Sequence, residues 1–195
     1  PLTGAVGEPF SVAVSADGQF VFVGATNQIY KFNASSGALV DSAAFTFAIH
    51  LAVHPSQALL YASGGGGVAE LDIATMAQTR TFPGYSQQQA VAIAPDGSEL
   101  YLADEGASVV RAYNLSTGLA AASFTTSNGT FGLAVSSSLV VATESVNGLV
   151  EGFNRVSRAP AFAVTTTGVP RRPAVNAAGD VILVPNEGGW VDFIR

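Results

Sequence analysis

Apolar residues along this chain fall in short runs separated by turn-forming residues, and one of these runs recurs five times. The copies are Val12-Ala13-Val14-Ser15, Leu51-Ala52-Val53-His54, Val91-Ala92-Ile93-Ala94, Leu133-Ala134-Val135-Ser136 and Pro173-Ala174-Val175-Asn176. The second position is Ala in every copy, and successive alanines are 39, 40, 42 and 40 residues apart. Self-similarity at a period of about 40 residues is typical of propeller blades and solenoid repeats.

The content of each period favours blades. In the first period, Ser11–Ser15 alternates, Asp17-Gly18 is a hairpin turn, and three further strand patterns follow. The predicted strands after each inner strand are Phe20–Gly24, Ile29–Asn33 and Leu39–Phe45; Leu59–Ser63, Val68–Asp72 and Gln78–Phe82; Leu100–Ala103, Val109–Asn114 and Leu119–Phe124; Leu139–Thr143, Leu149–Asn154 and Ala159–Val164; and Val181–Val184 and Trp190–Ile194. Four strands in about 40 residues make one blade.

The fifth period lacks a fourth strand, and Leu2–Val6 can supply it by pairing with Trp190–Ile194. Such closure by the two termini leaves a propeller without an open edge. The predicted fold class is therefore all-β, a five-bladed β-propeller of four-stranded antiparallel blades closed by the N-terminal strand. We predict a single domain over residues 1–195, with blades at about 9–45, 46–82, 83–124, 125–164, and 165–195 plus 1–6.

Composition fits this fold and excludes several functions. The chain has 21 Gly, 48% hydrophobic residues and only 11% charged residues, which suits short buried strands and tight turns. With no Cys, disulfides and thiolate chemistry are excluded. The net charge of −6 and the single lysine, Lys31, argue against nucleic acid and anionic membranes as partners. No apolar run reaches the ~18 residues of a membrane span, so we predict no membrane insertion.

The third period resembles the YVTN-type β-propeller repeat, a family broadly similar to the NHL and lactonase-like propellers. The resemblance rests on Val91-Ala92-Ile93-Ala94-Pro95-Asp96-Gly97, Leu100-Tyr101-Leu102-Ala103-Asp104 and Val109–Gly118, and the first period matches nearly as well. It covers essentially the whole chain and implies a propeller. Proteins with such repeats include cell-surface and secreted binding modules, while neighbouring propeller families include lactonases and lyases.

Alternation along the inner strands places side chains relative to the propeller axis. We expect the small alanines to face the central channel and Val14, Val53, Ile93, Val135 and Val175 to fill the spaces between blades. The channel set then includes Ser11, His50, Ala90, Gly132 and Arg172 before the alanines, and Ser15, His54, Ala94, Ser136 and Asn176 after them. Because Pro55 follows His54, we interpret His54 as a turn residue.

Long polar side chains gather in the loops of one propeller face. The candidate ligand-binding residues are His50, Gln89, Glu105, Glu144, Arg171, Arg172 and Asn186. Glu105, Glu144 and Asn186 are assigned to equivalent ends of the second strands. Arg171 or Arg172 would grip a carboxylate or sugar hydroxyls, Glu105 and Glu144 would accept hydrogen bonds, and Tyr85 and Phe131 would offer stacking surfaces. Ordinary surface polarity is the competing explanation.

The leading function is a non-enzymatic module that binds a protein partner or a small polar ligand on this face. The alternative is a hydrolase or lyase with Glu105, Glu144 or His50 as acid or base. Resemblance to metal-dependent lactonases suggests Glu8 and Asp104 as ligands of a divalent cation, although Gln89-Ala90 stands where that family has Asn-Gly. Otherwise the residues imply no cofactor. Three sequons, at Asn33, Asn114 and Asn128, favour an extracellular or cell-surface protein.

Overall fold

The computed structural model describes residue 4 and residues 7–83 and 88–195, without the side chains of residues 88 and 89. Within this part of the chain, nineteen strands form five antiparallel sheets, and no helix is present. Accordingly, no helix there is long and apolar enough to cross a membrane. The chain divides into two compact units, Pro1–Gly84 and Tyr85–Arg195.

The first unit contains two four-stranded sheets, each formed by consecutive hairpins. The strands of the first sheet are β1 Pro9–Val14, β2 Phe20–Ala25, β3 Gln28–Asn33 and β4 Leu39–Ala44, in that spatial order. Those of the second are β5 Ala48–Val53, β6 Leu59–Gly64, β7 Gly67–Asp72 and β8 Gln78–Thr81. Each sheet is a meander whose order in space follows its order in sequence, as expected for a propeller blade.

The second unit contains three sheets of the same kind. Their strands are β9 Gln88–Ile93, β10 Glu99–Asp104, β11 Val109–Asn114 and β12 Ala120–Thr125; β13 Gly132–Val135, β14 Leu139–Glu144, β15 Leu149–Asn154 and β16 Pro160–Thr165; and β17 Ala174–Val175, β18 Ile182–Asn186 and β19 Trp190–Ile194. The predicted strands agree with these to within two residues at nearly every end. Apart from Gly4, the proposed closing strand Leu2–Val6 lies outside the described residues, so ring closure stays a prediction.

Turn positions repeat from blade to blade and explain several polar residues. Asn33, Asp72, Asn114 and Asn154 each end a third strand, and their side-chain oxygens accept backbone N–H groups two or three residues ahead. Such local bonds stabilise tight turns. The sequon residues Asn33 and Asn114 are therefore engaged in turn formation. The run Gly64-Gly65-Gly66-Gly67 joins β6 to β7, as predicted for a hairpin connection.

In four of the five blades, the residue two positions after the repeated alanine caps the first hairpin turn; the third blade has Ala94 there. Nδ1 of His54 accepts the N–H groups of Ser56 at 3.2 Å and Gln57 at 3.0 Å. Oγ of Ser15 accepts the Phe20 N–H, Oγ of Ser136 accepts the Leu139 N–H, and Oδ1 of Asn176 accepts the Gly179 N–H. His54 is thus a turn residue, as interpreted from the sequence.

The repeated alanines are not all placed as their small size led us to expect. Ala13 packs against the core cluster of the first unit, which includes Phe22 and Leu51, while Val14 is 54% exposed. Ala92 likewise packs against a cluster containing Leu133. The expectation that the alanine faces the channel while the following valine fills a space between blades is therefore wrong at Ala13 and Val14, whereas Val53 and Val135 pack against these clusters as expected. A small residue there lets the inner strand approach the neighbouring sheet closely.

Two buried polar groups stabilise the first unit. The ammonium of Lys31 donates a 2.7 Å hydrogen bond to the carbonyl of Ile73 and lies 4.2 Å from the ring centroid of Phe20. The carboxylate of Glu70 accepts the Tyr61 hydroxyl at 2.8 Å. Since buried polar groups are costly without partners, these contacts account for charged side chains inside a largely apolar core.

Candidate functional site

Three buried polar residues end the second strands of the three sheets in the second unit. They are Asp104 on β10, Glu144 on β14 and Asn186 on β18. Asp104 pairs in register with Val109, and Glu144 pairs with Leu149, the equivalent residue of the next sheet. The predicted equivalence of Glu105 with Glu144 is therefore wrong by one residue. β10 ends at Asp104 and β14 at Glu144, each one residue beyond its predicted end, and Glu105 lies in the turn that follows β10.

Each of these residues contacts one polar side chain on the adjacent strand, and two of the three pairs are chemically complementary. Asp104 lies 3.5 Å from the guanidinium of Arg111. Nδ2 of Asn186 donates to Asp192 at 3.3 Å. Oδ1 of Asn186 accepts the N–H groups of Val169 and Gly188, both at 3.1 Å. The predicted ligand-binding residue Asn186 thus organises its own loop.

The third pair joins two acids, Glu144 and Glu151. Glu144 is 0% exposed, and its Oε2 accepts the Asn147 amide at 2.6 Å. Burial is the main cause that raises the pKa of Glu144 to about 7, and the neighbouring Glu151 raises it further. The N–H groups of Asn147 and Asn128 act in the opposite direction and lower this pKa. The register of the hairpin puts Glu144 and Glu151 on the same face, and Oε1 of Glu144 is buried there without a hydrogen-bond partner. Two neighbouring carboxyl groups cannot both ionise readily, so Glu144 is the member that holds a proton.

Glu151 is the ionised member of the pair. Partial burial opposes its ionisation, but the hydrogen bonds from Glu144 and Ser127 hold its pKa below the usual value. The backbone N–H and the hydroxyl of Ser127 donate to the two carboxylate oxygens at 3.0 and 2.9 Å. The pair is therefore hydrogen-bonded to the loop at residues 126–131, which we call the Phe131 loop.

Two arginines flank one aromatic ring at the end of that loop. The guanidinium carbon of Arg171 lies 4.5 Å from the ring centroid of Phe131, and that of Arg172 lies 5.9 Å away. Nε of Arg171 also donates to Glu187 at 2.8 Å. Burial and the charge of Arg171 both lower the pKa of Arg172. These three residues, Phe131, Arg171 and Arg172, form the arginine cluster, a partly exposed cationic surface.

Backbone contacts hold the arginine cluster in place. The hydroxyl of Thr143 donates to the carbonyl of Arg171 at 2.8 Å, and the carbonyl of Thr143 accepts the Phe131 N–H at the same distance. A methyl group on Gly132 would lie 2.9 Å from Cα of Arg172. A methyl group on Gly129 would overlap the carbonyl oxygen of Glu105. Small residues are thus required where these loops meet.

The remaining predicted site residues lie in the first unit or are not among the residues whose side chains the structure describes. His50, on β5 opposite Ser63, and the exposed Glu8 belong to the first unit. Gln89 lies on β9, but its side chain is not described, and Tyr85 is not among the described residues. Among residues 4, 7–83 and 88–195, no three acidic or histidine side chains are placed to hold a metal ion.

Two surface cavities occur away from the arginine cluster. One, of about 240 Å³, is lined in the first unit by Ser15, Ala16, Asp17, Ser56, Gln57, Ala58 and Ile73. The other, of about 280 Å³, is lined in the second unit by Arg111, Tyr113 and Ala120–Ser123. Both have mixed polar and apolar walls, and both are lined by residues other than the predicted site residues.

Sequence reasoning did not identify Glu151, Ser127 or Asn147. Glu151 lies on a third strand, where alternating polar residues usually face solvent. Its partnership with Glu144 follows from hairpin register, because Ala142 is opposite Glu151 and Glu144 lies two residues further along β14. The sequence pattern that could have revealed the pair is Glu144 at the end of β14 and Glu151 on β15, diagonally across the four-residue turn that joins the two strands.

Comparison with known proteins identifies the fold but no family. No family model matches the chain, and no curated protein matches it. Among solved structures, the chain is similar to hydrazine synthase from Kuenenia stuttgartiensis, with a TM-score of 0.84 and 19% sequence identity. The match covers 95% of this chain and 59% of that chain. The YVTN subtype therefore stays a prediction, whereas the predicted all-β, five-bladed β-propeller fold class is confirmed.

Proposed function

We propose that this chain is a non-enzymatic binding module that takes carboxylate-bearing ligands at the arginine cluster. The observation that supports this is the placement of two guanidinium groups on one aromatic ring. Burial is the main cause that lowers the pKa of Arg172, and the charge of Arg171 lowers it further, which means that the two cations repel each other. A bound anion would offset that repulsion.

The chemistry of the cluster suits a carboxylate. A guanidinium presents parallel N–H donors that match the two oxygens of a carboxylate, and partial burial strengthens such charge-assisted bonds. Phe131 fixes both arginines through its face, so little side-chain entropy remains to be lost on binding. The surrounding β-sheets provide a rigid support for the loops.

Two sources of carboxylate share this chemistry. One is a small organic acid, and the other is an acidic side chain or C-terminus of a protein partner. The proposed extracellular or cell-surface location is compatible with both. Glu105 and the exposed Glu187 would then orient hydroxyl or amide groups beside the carboxylate, whereas Glu144 has no exposed surface with which to contact a ligand directly.

Isothermal titration calorimetry with three probes tests this proposal. The probes are benzoate, N-acetyl-triglycine with its free C-terminal carboxylate, and the neutral sugar maltose. We expect the two carboxylates to bind and Arg172→Gln to weaken them by about tenfold or more, since a charge-assisted bond is worth about 1.5–3 kcal/mol. Tighter binding of N-acetyl-triglycine than of benzoate would indicate a peptide partner.

The matched control is Arg195→Gln, which removes the same charge beyond β19, at the end of that strand remote from Asn186. Thermal unfolding of each variant shows whether the fold is retained, and Arg171→Gln provides a second test if Arg172→Gln does not fold. Binding of maltose alone, or equal weakening by Arg172→Gln and Arg195→Gln, would overturn the proposal.

A hydrolase or lyase remains the second candidate because of one observation. A carboxyl group with its pKa raised to about 7 is suited to donate a proton at neutral pH, and Glu144 has that property. The buried side chain would have to become accessible before it could act on a substrate. Hydrolysis of γ-butyrolactone or p-nitrophenyl acetate that is lost in Glu144→Gln would support this candidate over the binding module.

A further inference from the structure

The pairing of Glu144 with Glu151 departs from the pattern of the neighbouring blades. At the equivalent positions, Asp104 contacts a cation and Asn186 donates to an acid. Only the middle blade of the second unit, among the described pairs, places two acids together there. Such a pair is stable only while it holds a proton, so its charge state depends on solvent composition in a way that its neighbours' does not.

We propose that the Glu144–Glu151 pair is a proton-controlled switch for the arginine cluster: the cluster binds carboxylates while the pair holds one proton and loses affinity when that proton leaves. This inference rests on the proposed function, since it concerns regulation of the same site. It adds a control element in which neither acid touches the ligand.

The first connection between the pair and the cluster runs through Glu151. Both oxygens of its carboxylate accept hydrogen bonds from Ser127, at the start of the Phe131 loop. The loop is further tied by Thr126, whose hydroxyl donates to the carbonyl of Asn128 at 2.7 Å and accepts from Thr130 at 3.2 Å. Movement of Glu151 is therefore transmitted to the segment that carries the Phe131 ring.

The second connection runs through the residue next to Glu144. Thr143 binds the Phe131 N–H with its carbonyl and the Arg171 carbonyl with its hydroxyl, each at 2.8 Å. Glu144 follows Thr143 directly on β14. A displacement of β14 at Glu144 thus acts on two members of the arginine cluster at once.

Few other charges face the pair. The adjacent strands β13 and β16, the Phe131 loop and the turn 145–148 contain no titratable side chain. β10 and β11 pack against the same face and carry Glu99, Asp104 and Arg111, of which Asp104 pairs with Arg111 and Glu99 with Arg158. The other charged groups on neighbouring segments are Glu105, whose carbonyl packs on Gly129, and Arg171 and Arg172, which precede β17. Titration near neutral pH is consequently governed by the pair itself, in agreement with the raised pKa of Glu144.

Loss of the proton acts on the cluster in one direction. The O–H bond of Glu144 breaks, the proton passes to water, and two carboxylates remain side by side on one face of the hairpin. Their repulsion separates Glu144 from Glu151 and loosens the bonds to Ser127. Phe131 is then held less firmly against the arginines, and one additional negative charge lies nearby. Both effects weaken the binding of an anion.

Benzoate titrations between about pH 5.5 and about pH 8.5 test the switch, because benzoate keeps its charge throughout this range. We expect the dissociation constant of the wild type to rise by at least about fivefold across neutral pH, the lower end of typical coupling between sites. Glu144→Gln mimics the protonated acid, since its amide donates to Glu151. It should bind benzoate with one affinity over the whole range.

Two further variants complete the design. Asp180→Asn changes the charge equally on the exposed β17–β18 hairpin and should keep the wild-type pH dependence. Glu151→Gln removes the second acid and should move the midpoint to lower pH. An equal pH dependence in the wild type and in Glu144→Gln would overturn the switch while leaving the binding function intact.

Failure of the binding function is recognised separately. If benzoate does not bind at any pH, carboxyl ¹³C and amide NMR of the free protein still report on the pair. We expect the Glu144 carboxyl and the amides of Ser127 and Phe131 to titrate with a common midpoint near neutral pH. A Glu144 carboxyl that titrates without any change at Ser127 or Phe131 would overturn the switch by itself.

Discussion

The hydroxyl of Thr143 donates a 2.8 Å hydrogen bond to the backbone carbonyl of Arg171, which connects β14 with the segment preceding β17. Thr143 is fully buried, so water cannot substitute for this donor. The position of the arginine cluster therefore depends on one side chain in the neighbouring blade.

Replacement of Thr143 by Val tests that dependence. Val has the same shape but no hydroxyl, and it leaves the Arg171 carbonyl without this donor. We expect Thr143→Val to lower the free energy of unfolding by about 1–2 kcal/mol, as measured by urea denaturation. Thr165→Val, at the exposed end of β16, is the matched control and should change stability by less than about 0.5 kcal/mol. Equal effects would show that the bond contributes little.

The acid pair predicts a specific pH dependence of stability. Because the pKa of Glu144 is raised on folding, its contribution to stability is complete at acidic pH and is lost as pH rises through about 7. We expect the free energy of unfolding to fall by about 2–3 kcal/mol between mildly acidic and alkaline pH, since each pKa unit corresponds to about 1.4 kcal/mol. Glu144→Gln should not show this decrease.

The opposite limb of that profile depends on Glu151. Its pKa is lowered on folding, so its contribution is present above its usual pKa and is lost as pH falls through the folded value. Stability should therefore be greatest between the two titrations. Urea denaturation at a series of pH values measures both limbs, and a wild-type profile that stays flat between about pH 5 and about pH 7 would contradict the pairing.

Glu99 supports a second network, between the first two sheets of the second unit. Its carboxylate accepts the Tyr101 hydroxyl and the Arg158 guanidinium, both at 2.5 Å. We expect Glu99→Ala to reduce stability by about 2–4 kcal/mol, because it leaves a half-buried cation and a buried hydroxyl without their acceptor. Glu187→Ala also removes a carboxylate from an arginine but in an exposed pair, and it should reduce stability by less than about 1 kcal/mol.

His54 offers a test of the repeated turn cap. His54→Ala removes the acceptor of two backbone N–H groups and should reduce stability by about 1–2 kcal/mol. His54→Asn should retain most of the wild-type stability, because Asn176 performs the same function in the last blade. Thermal unfolding of the two variants distinguishes a turn function from simple packing, for which Ala and Asn would be equally destabilising.

The strands and turns could be predicted from the sequence because they depend on local patterns. Period-two alternation and turn residues such as Asp17-Gly18 specify hairpins without knowledge of the rest of the fold. The facing of Ala13 could not be predicted by the same means. It depends on how closely β1 approaches the second sheet, which is a property of packing between blades rather than of one strand.

The candidate site was predictable only in part for a similar reason. The loops that carry Arg171, Arg172 and Phe131 were recognised because loop position follows from strand order. The pairing of Glu144 with Glu151 depends on register, and a difference of one residue exchanges Glu105 for Asp104 as the counterpart of Glu144. Burial then decides which of these carboxyl groups keeps its proton, and burial is a property of the assembled sheets.

The buried ammonium of Lys31 gives the first unit a chemical reporter of its own. The chain contains a single lysine, and in the folded unit its nitrogen is only 2.7 Å from the Ile73 carbonyl and shielded from solvent. A lysine-selective reagent can modify that nitrogen only during an opening that separates β3 from the end of β7. The rate of lysine modification therefore measures how often these two sheets part, without any introduced label.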